Sequence, residues 1–183
     1  MFRLLTSRPL VCTFPQQSVR TTPLRASRNI SQSRRTMTPL PIIVCGKNPS
    51  IATAVRERML PEYDVIHIIL SVESGMRDIP LLLSSQFPAN SSSNHGSRNY
   101  TKPPVAIALG GGFNDELFNQ IKDSCKDVPS TIWLRVDTSK MAGPPKPEEM
   151  EKYGRATAER MKKKLGELRV SEEGGVKEGV FCF

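Results

Sequence analysis

The chain has no aspartate or glutamate before Glu57, although Arg3, Arg8, Arg20, Arg25, Arg28, Arg34 and Arg35 all fall within its first 37 residues. An opening that is rich in Arg, Ser and Thr and free of acid has the composition of an organelle presequence, and such a segment is set aside from fold reasoning. It holds 7 of the 26 basic residues and none of the 18 acidic ones, so the formal charge of +8 falls to +1 for residues 38–183. Overall basicity therefore does not point to nucleic acid. Aromatic residues are not interleaved with basic ones, as a single-strand binding surface would need, and Trp133 lies inside a strand-like run.

Other absences narrow the class further. The four cysteines, at 12, 45, 125 and 182, form no CxxC pair and have no histidine at ligand spacing. Neither a disulfide framework nor a zinc site is thereby indicated, no metal is expected, and the thiols should be reduced. No apolar run approaches the roughly 18 residues that a bilayer span requires, so no membrane span is expected. No repeat with a period of about 20–50 residues is visible. With residues 1–37 set aside, 146 remain, enough for one domain with a single core.

The run Arg28-Asn29-Ile30-Ser31-Gln32-Ser33 resembles the two-step processing signal of mitochondrial matrix proteins: an Arg, an apolar residue two positions on, and a small hydroxyl residue five positions on. That resemblance implies a mitochondrial matrix protein whose first mature residue is Thr38. Two alternatives stand beside it. The segment could be a disordered basic arm, or translation could start at Met37 and leave a cytoplasmic protein.

From residue 40 the chain alternates between two patterns. Leu40–Cys45 is a short β-branched run closed by Gly46, as in a strand buried on both faces. Asn48 then caps a helix with Pro49 in its first position; Ile51, Val55 and Met59 share one face, and Pro61 ends it. Tyr63–Leu70 is the second strand. Asp78 or a neighbour is expected to cap a short helix over Ile79–Gln86, with Pro80 in its first turn. Residues 88–104, rich in Asn, Ser, Gly and Pro, are expected as a flexible loop, of the length taken by disordered connections or by lids.

Val105–Leu109 is the third strand and runs into Gly110-Gly111-Gly112. Asn114 caps the next helix, with Phe113 and Phe118 placed as a hydrophobic staple and Leu117, Ile121 and Cys125 facing the core. Ile132–Val136 is the fourth strand, and a long helix near Pro147–Leu168 turns Met150, Tyr153, Thr157, Met161, Leu165 and Leu168 inward. Val180–Phe183 reads either as a fifth, edge strand or, preferably, as an apolar tail. Strands that alternate with helices at this spacing imply an α/β domain with a mainly parallel sheet of four or five strands, covered on both sides in three layers.

In such sheets ligands bind beyond the carboxyl ends of the strands, where neighbouring connections leave in opposite directions. With strand order 2-1-3-4 that point is flanked by Gly46, Lys47, Asn48 and Ser50 on one side and by Gly110, Gly111 and Gly112 on the other. Glycine permits close backbone approach, and the helix N-termini that follow offer donors to a phosphate. A nucleotide or dinucleotide site is the expectation.

Gly46-Lys47-Asn48-Pro49-Ser50-Ile51-Ala52 resembles the glycine motif of short-chain dehydrogenases in a degenerate form. It keeps the first glycine and the isoleucine, while Ser50 and Ala52 stand where that motif has glycine. The resemblance is to Rossmann-like NAD(P)-binding domains at superfamily level and covers about 100 residues. It implies NADP or NAD as cofactor and a reductase-like role for an unidentified substrate. NADP is preferred, because Lys47 suits a 2′-phosphate and no acid ends strand two: Ser71 stands there, with Glu73 two residues later.

The family's Tyr-x-x-x-Lys pair is broken, since Tyr153 is followed by Thr157, and Tyr153 is read as core. His67 is read as a satisfied core histidine, His95 as a loop residue, and Cys45 as a small apolar residue rather than a nucleophile. Arg135, Asp137 and Lys140 near the fourth strand's carboxyl end are read as helix-facing or solvated. Lys162-Lys163-Lys164 is the wet face of a helix with some potential for an acidic protein partner. The rival to a nucleotide-binding protein is a non-catalytic mitochondrial interaction or assembly protein on the same scaffold, contacting its partner through the long C-terminal helix.

N-terminal sequencing of the endogenous protein is expected to begin near Thr38; an intact Met1, or a cytosolic product starting at Met37, would reject import.

Overall fold

A computed structural model of the chain describes residues 38–89, 91–137, 143, 145–170 and 177–183. It shows strands β1 (Leu40–Cys45), β2 (Tyr63–Ile69), β3 (Ala106–Leu109), β4 (Ile132–Arg135) and β5 (Gly179–Cys182). Between them lie helices α1 (Pro49–Met59), α2 (Val72–Leu83), α3 (Asp115–Asp123) and α4 (Met150–Glu167). All strand pairs are parallel, in the order β2-β1-β3-β4-β5. This three-layer α/β arrangement carries the expected order of the first four strands and is compatible with a Rossmann-like domain.

Strand alternation sorts the core into two layers. Ile42 and Val44 face the side covered by α1 and α4, with Ala106 and Ala108 of β3 beside them. Ile43, Cys45, Ile107 and Leu109 face α2 and α3. Small residues under α1 and α4 let those helices lie close together. A Cβ added at Gly154 of α4 would come within 2.7 Å of the Ala54 Cβ and 2.9 Å of the Ile51 carbonyl oxygen on α1.

Two expectations are corrected. The second helix does not start at Asp78: it begins at Val72, with Ser71 as N-cap and Ser74 completing a capping box, and carries Pro80 inside it. The Ser71 hydroxyl accepts from the Ser74 amide at 3.2 Å, which satisfies a terminal donor seven residues earlier than the Pro-based reading placed the start. Asp78 is instead buried, and its carboxylate is held bidentately by Arg77 at 2.7 and 3.1 Å. The preferred apolar tail at 180–183 is also set aside. Gly179–Cys182 is a fifth strand because the free edge of β4 offers it a ladder, extended past its end when the Phe183 amide donates to the Arg135 carbonyl at 3.0 Å. α4 itself is preceded by a 3₁₀ turn at Pro147–Glu149.

Residues 94–98, inside the segment read as a flexible loop, are hydrogen-bonded along the outer edge of β2. Ser97 and Arg98 donate their amides to the Val65 and Ile66 carbonyls. The Asn94 amide does the same through its side chain: Oδ1 accepts from Ile68 N at 2.9 Å and Nδ2 donates to Ile68 O at 2.8 Å. Gly96 lies so close to β2 that a Cβ there would stand 2.3 Å from the Ile66 carbonyl oxygen. An exposed strand edge is thereby closed.

A register shift leaves Ile66 without an opposite residue on β1, with Ile42 facing Val65 and Ile43 facing His67. The extra residue brings both Ile66 and His67 to the α2 side. His67 is buried there, with Nδ1 2.8 Å from the Tyr100 hydroxyl and Nε2 3.2 Å from Asn94 Nδ2. Because Asn94 Nδ2 is a donor, neutral His67 is satisfied with the proton on Nδ1. Burial lowers its pKa, and the Asp78 carboxylate, 3.4 Å from Nε2, offsets only part of that effect.

Two outcomes follow from this packing. Gly154→Val should destabilise the protein by about 1–3 kcal/mol through overpacking, read as a lower denaturant midpoint with an unchanged slope. His67, neutral in the fold, contributes stability that is complete above its unfolded pKa of about 6.5 and is lost as pH falls below it, by at most ~1.4 kcal/mol per pH unit. The decline in stability between about pH 7 and 5 should flatten in His67→Gln.

Candidate functional site

The two glycine turns meet at the carboxyl ends of β1 and β3. The Gly46 amide donates to Ile69 O at 2.9 Å and the Gly110 amide to Cys45 O at 2.8 Å, so each turn continues the ladder by one bond. A Cβ added at Gly110 would stand 3.3 Å from the Cys45 carbonyl oxygen and 3.8 Å from the Gly46 Cα. The stem of Lys47 crosses to the other turn, where a Cβ on Gly112 would lie 3.2 Å from Lys47 Cγ. One side chain thus spans both turns.

A cavity of about 500 Å³ opens between these turns, α1 and α4. Gly46, Lys47, Asn48, Gly110, Gly111 and Gly112 all line it. Its deeper wall is apolar: Val44 and Ala108 come from the sheet, Val55 from α1 and Met161 from α4. A volume of this size lies in the range of about 300–1,000 Å³ typical of small-molecule sites.

Ser50 is not part of the wall; it is exposed, and its amide serves the helix cap. Asn48 Oδ1 accepts from Ser50 N at 3.0 Å and Ile51 N at 3.2 Å, Pro49 has no amide hydrogen, and Ala52 N donates to Asn48 O at 3.1 Å. Every donor of the first turn of α1 is therefore already used. The Asn48 amide also donates from Nδ2 to Met150 Sδ at 3.2 Å, joining the turn to the start of α4. Asn114 caps α3 by accepting from Leu117 N at 3.0 Å, and the first turn of α3 carries Asp115 and Glu116. A pyrophosphate would find no free donors at α1 and two carboxylates at α3.

Tyr153, read from the sequence as core, stands half-buried in the cavity wall with Thr157 one turn on. The Thr157 hydroxyl accepts from Arg160 at 3.1 Å. Cys45 also lines the cavity, but complete burial pushes its thiol far above the ordinary range, which removes it as a nucleophile. Sequence reasoning placed the turns but missed the α4 wall, because an amphipathic stripe looks the same whether it meets a core or a crevice.

The remaining candidates lie elsewhere. Arg135 faces α3, with its guanidinium 4.5 Å from the Phe118 ring centroid and 2.5 Å from Asp115 Oδ1. The Asp137 amide donates to Phe183 O, and Lys140 lies outside the described residues. His95 is exposed. Of the lysine triplet, Lys162 Nζ is bound to Leu60 O and Glu62 at 3.0 and 2.6 Å and Lys164 to Glu167 at 2.8 Å. Among the described residues no group of three or more metal-ligating side chains comes together, and no helix is long and apolar enough to cross a membrane.

No family model matches the chain, and no solved structure matches it. It is similar to Kojic acid related protein 6 of Aspergillus oryzae, with 35% identity over 147 residues, which span 78% of this chain and 86% of that protein. At that identity and coverage, the chain belongs to the family of Kojic acid related protein 6.

Proposed function

We propose that the chain is a small-molecule-binding module whose ligand sits between Gly46–Asn48 and Gly110–Gly112, a flat ring in the apolar depth and one anionic group at Lys47. The observation that carries this reading is the cavity itself, placed where parallel sheets bind ligands and walled by both glycine turns. Among the described residues of the wall, Lys47 is the sole cation.

A nucleotide fits this description if its pyrophosphate is met by the Gly111–Gly112 backbone rather than by α1, which leaves Lys47 for a further phosphate. NADP is preferred to NAD for two reasons. Lys47 suits a 2′-phosphate, and the turn after β2 carries Ser71, whose side chain is committed to capping α2, with no acid there to hold ribose hydroxyls. Proton transfer of the short-chain dehydrogenase kind has no support, because Thr157 stands where the lysine partner of Tyr153 would be. The proposal is therefore one of binding, with a reductase-like role dependent on a substrate site contributed from elsewhere.

Titration of purified Thr38–Phe183 with NADPH, NADH, ATP and kojic acid, followed by melting temperature, tests the reading; kojic acid is included because the name of the A. oryzae relative carries it. A bound ligand at about a hundredfold excess over its Kd should add about 2.7 kcal/mol of stability. NADPH should outperform NADH, and Lys47→Met should remove that difference. Gly111→Val should abolish the shift while leaving the ligand-free melting temperature close to its original value. No shift with any of the four at millimolar concentration overturns the proposal.

A further inference from the structure

His67 is a buried titratable group outside the cavity wall, and two elements hold its ring on different terms. The strap formed by residues 94–100 supplies the Tyr100 hydroxyl at Nδ1 and the Asn94 amide at Nε2, 2.8 and 3.2 Å away. α2 supplies Asp78, whose Oδ2 lies 3.4 Å from the same Nε2. Nε2 is therefore contested. Without a proton it accepts from Asn94 Nδ2; with one it meets a second donor there and turns its hydrogen toward the Asp78 carboxylate. Neutral His67 is bonded to the strap, and protonated His67 to α2.

The same asparagine clamps the strap onto β2. Its Oδ1 accepts from Ile68 N at 2.9 Å and Gly96 N at 2.8 Å, while Nδ2 donates to Ile68 O. Farther along, the Ser97 and Arg98 amides donate to β2 carbonyls and Ser97 Oγ donates to Asp64 at 2.7 Å. Little apolar area adds to these bonds: only Gly96 of the strap is buried, and Tyr100 is half-buried against the core. A segment held mainly by polar contacts is one that opens locally. Lifting it takes both Asn94 and Tyr100 from the ring. The charges that face the ring are Asp78 with its partner Arg77 on α2, and Arg98 of the strap, whose charge reaches the Tyr100 hydroxyl. Ile43, opposite His67 on β1, is apolar. His95, the other histidine of the chain, is exposed, and its carbonyl accepts from Arg56 at 2.9 Å.

We propose that the strap is a proton-operated latch: protonation of His67 releases residues 94–100 from β2 while the rest of the sheet stays folded, uncovering the outer edge of β2 below neutral pH. The closed state requires a neutral ring, whereas the open state leaves His67 in water, where it titrates near its ordinary value of about 6.5. The open population therefore rises as pH falls below about 6.5, by up to about tenfold per pH unit, and stops rising at the lowered pKa of the closed state.

Amide hydrogen exchange of the full chain, followed by NMR between about pH 7 and 5 and corrected for intrinsic rates, tests the latch. Protection of the Ser97 and Arg98 amides should fall by up to about tenfold per pH unit and be insensitive to low urea, as for a local opening. Amides in the ladder between β1 and β3 should be better protected at every pH and lose protection as urea is added. His67→Gln, neutral throughout, should remove the pH dependence of the strap amides, and His95→Gln should keep it. Where His67→Gln fails to fold, Asp78→Asn decides: loss of the anion that favours the protonated ring should extend the decline to lower pH, and a decline left unchanged overturns the proposal. Strap amides whose protection is constant from pH 7 to 5, that exchange only through global unfolding, or that keep their pH dependence in His67→Gln or lose it in His95→Gln would each overturn it as well.

Discussion

The closeness of α1 to α4, set at Gly154, is the constraint on which the site depends. Where a side chain at 154 would hold the helices apart, hydrogen lets the Ala54 methyl and the Ile51 carbonyl come into contact with α4. That contact fixes the two walls of the crevice relative to each other. It also brings Met150 to Asn48, so the loop after β1 is tied to the far helix and not only to its own. Ala106 and Ala108 extend the same economy of volume into the sheet, keeping space under α1 while Ile107 and Leu109 fill the opposite layer. On β3, then, small residues face α1 and α4 and large ones face the opposite layer, and Ala108 lines the cavity.

The helix termini around the crevice change what kind of ligand suits it. Open N-termini attract phosphate because their first amides have no partner. Here a single asparagine uses those amides for stability, a contribution of about 1 kcal/mol for such caps, and leaves electrostatic attraction to one lysine.

Much of this was legible in the sequence because local signals and tertiary contacts agreed. Asn48 and Asn114 are caps in both, and the four apolar runs became the first four strands in the expected order. The turns at Gly46 and Gly110 were placed by topology alone. What was not legible depended on distant partners. Pro80 looked like a helix start because proline favours first turns, whereas Ser71 and Ser74 had already begun the helix. Val180 and Phe181 gained a strand only because β4 had a free edge. The use of Asn48 against its own helix is a matter of side-chain geometry that no periodicity encodes.

Residues 94–98 illustrate how composition and role can diverge. Asn, Gly, Ser and Arg are poor core formers, yet here they supply amides and carbonyls to β2 where a sixth strand would otherwise lie. Among the described residues, β5 is paired on one side only. The sheet is therefore directional with respect to growth: a foreign strand meets a closed margin at β2 and an unpaired one at β5. Among the described residues, the polar strap therefore leaves β5 as the sheet edge at which another strand can be added.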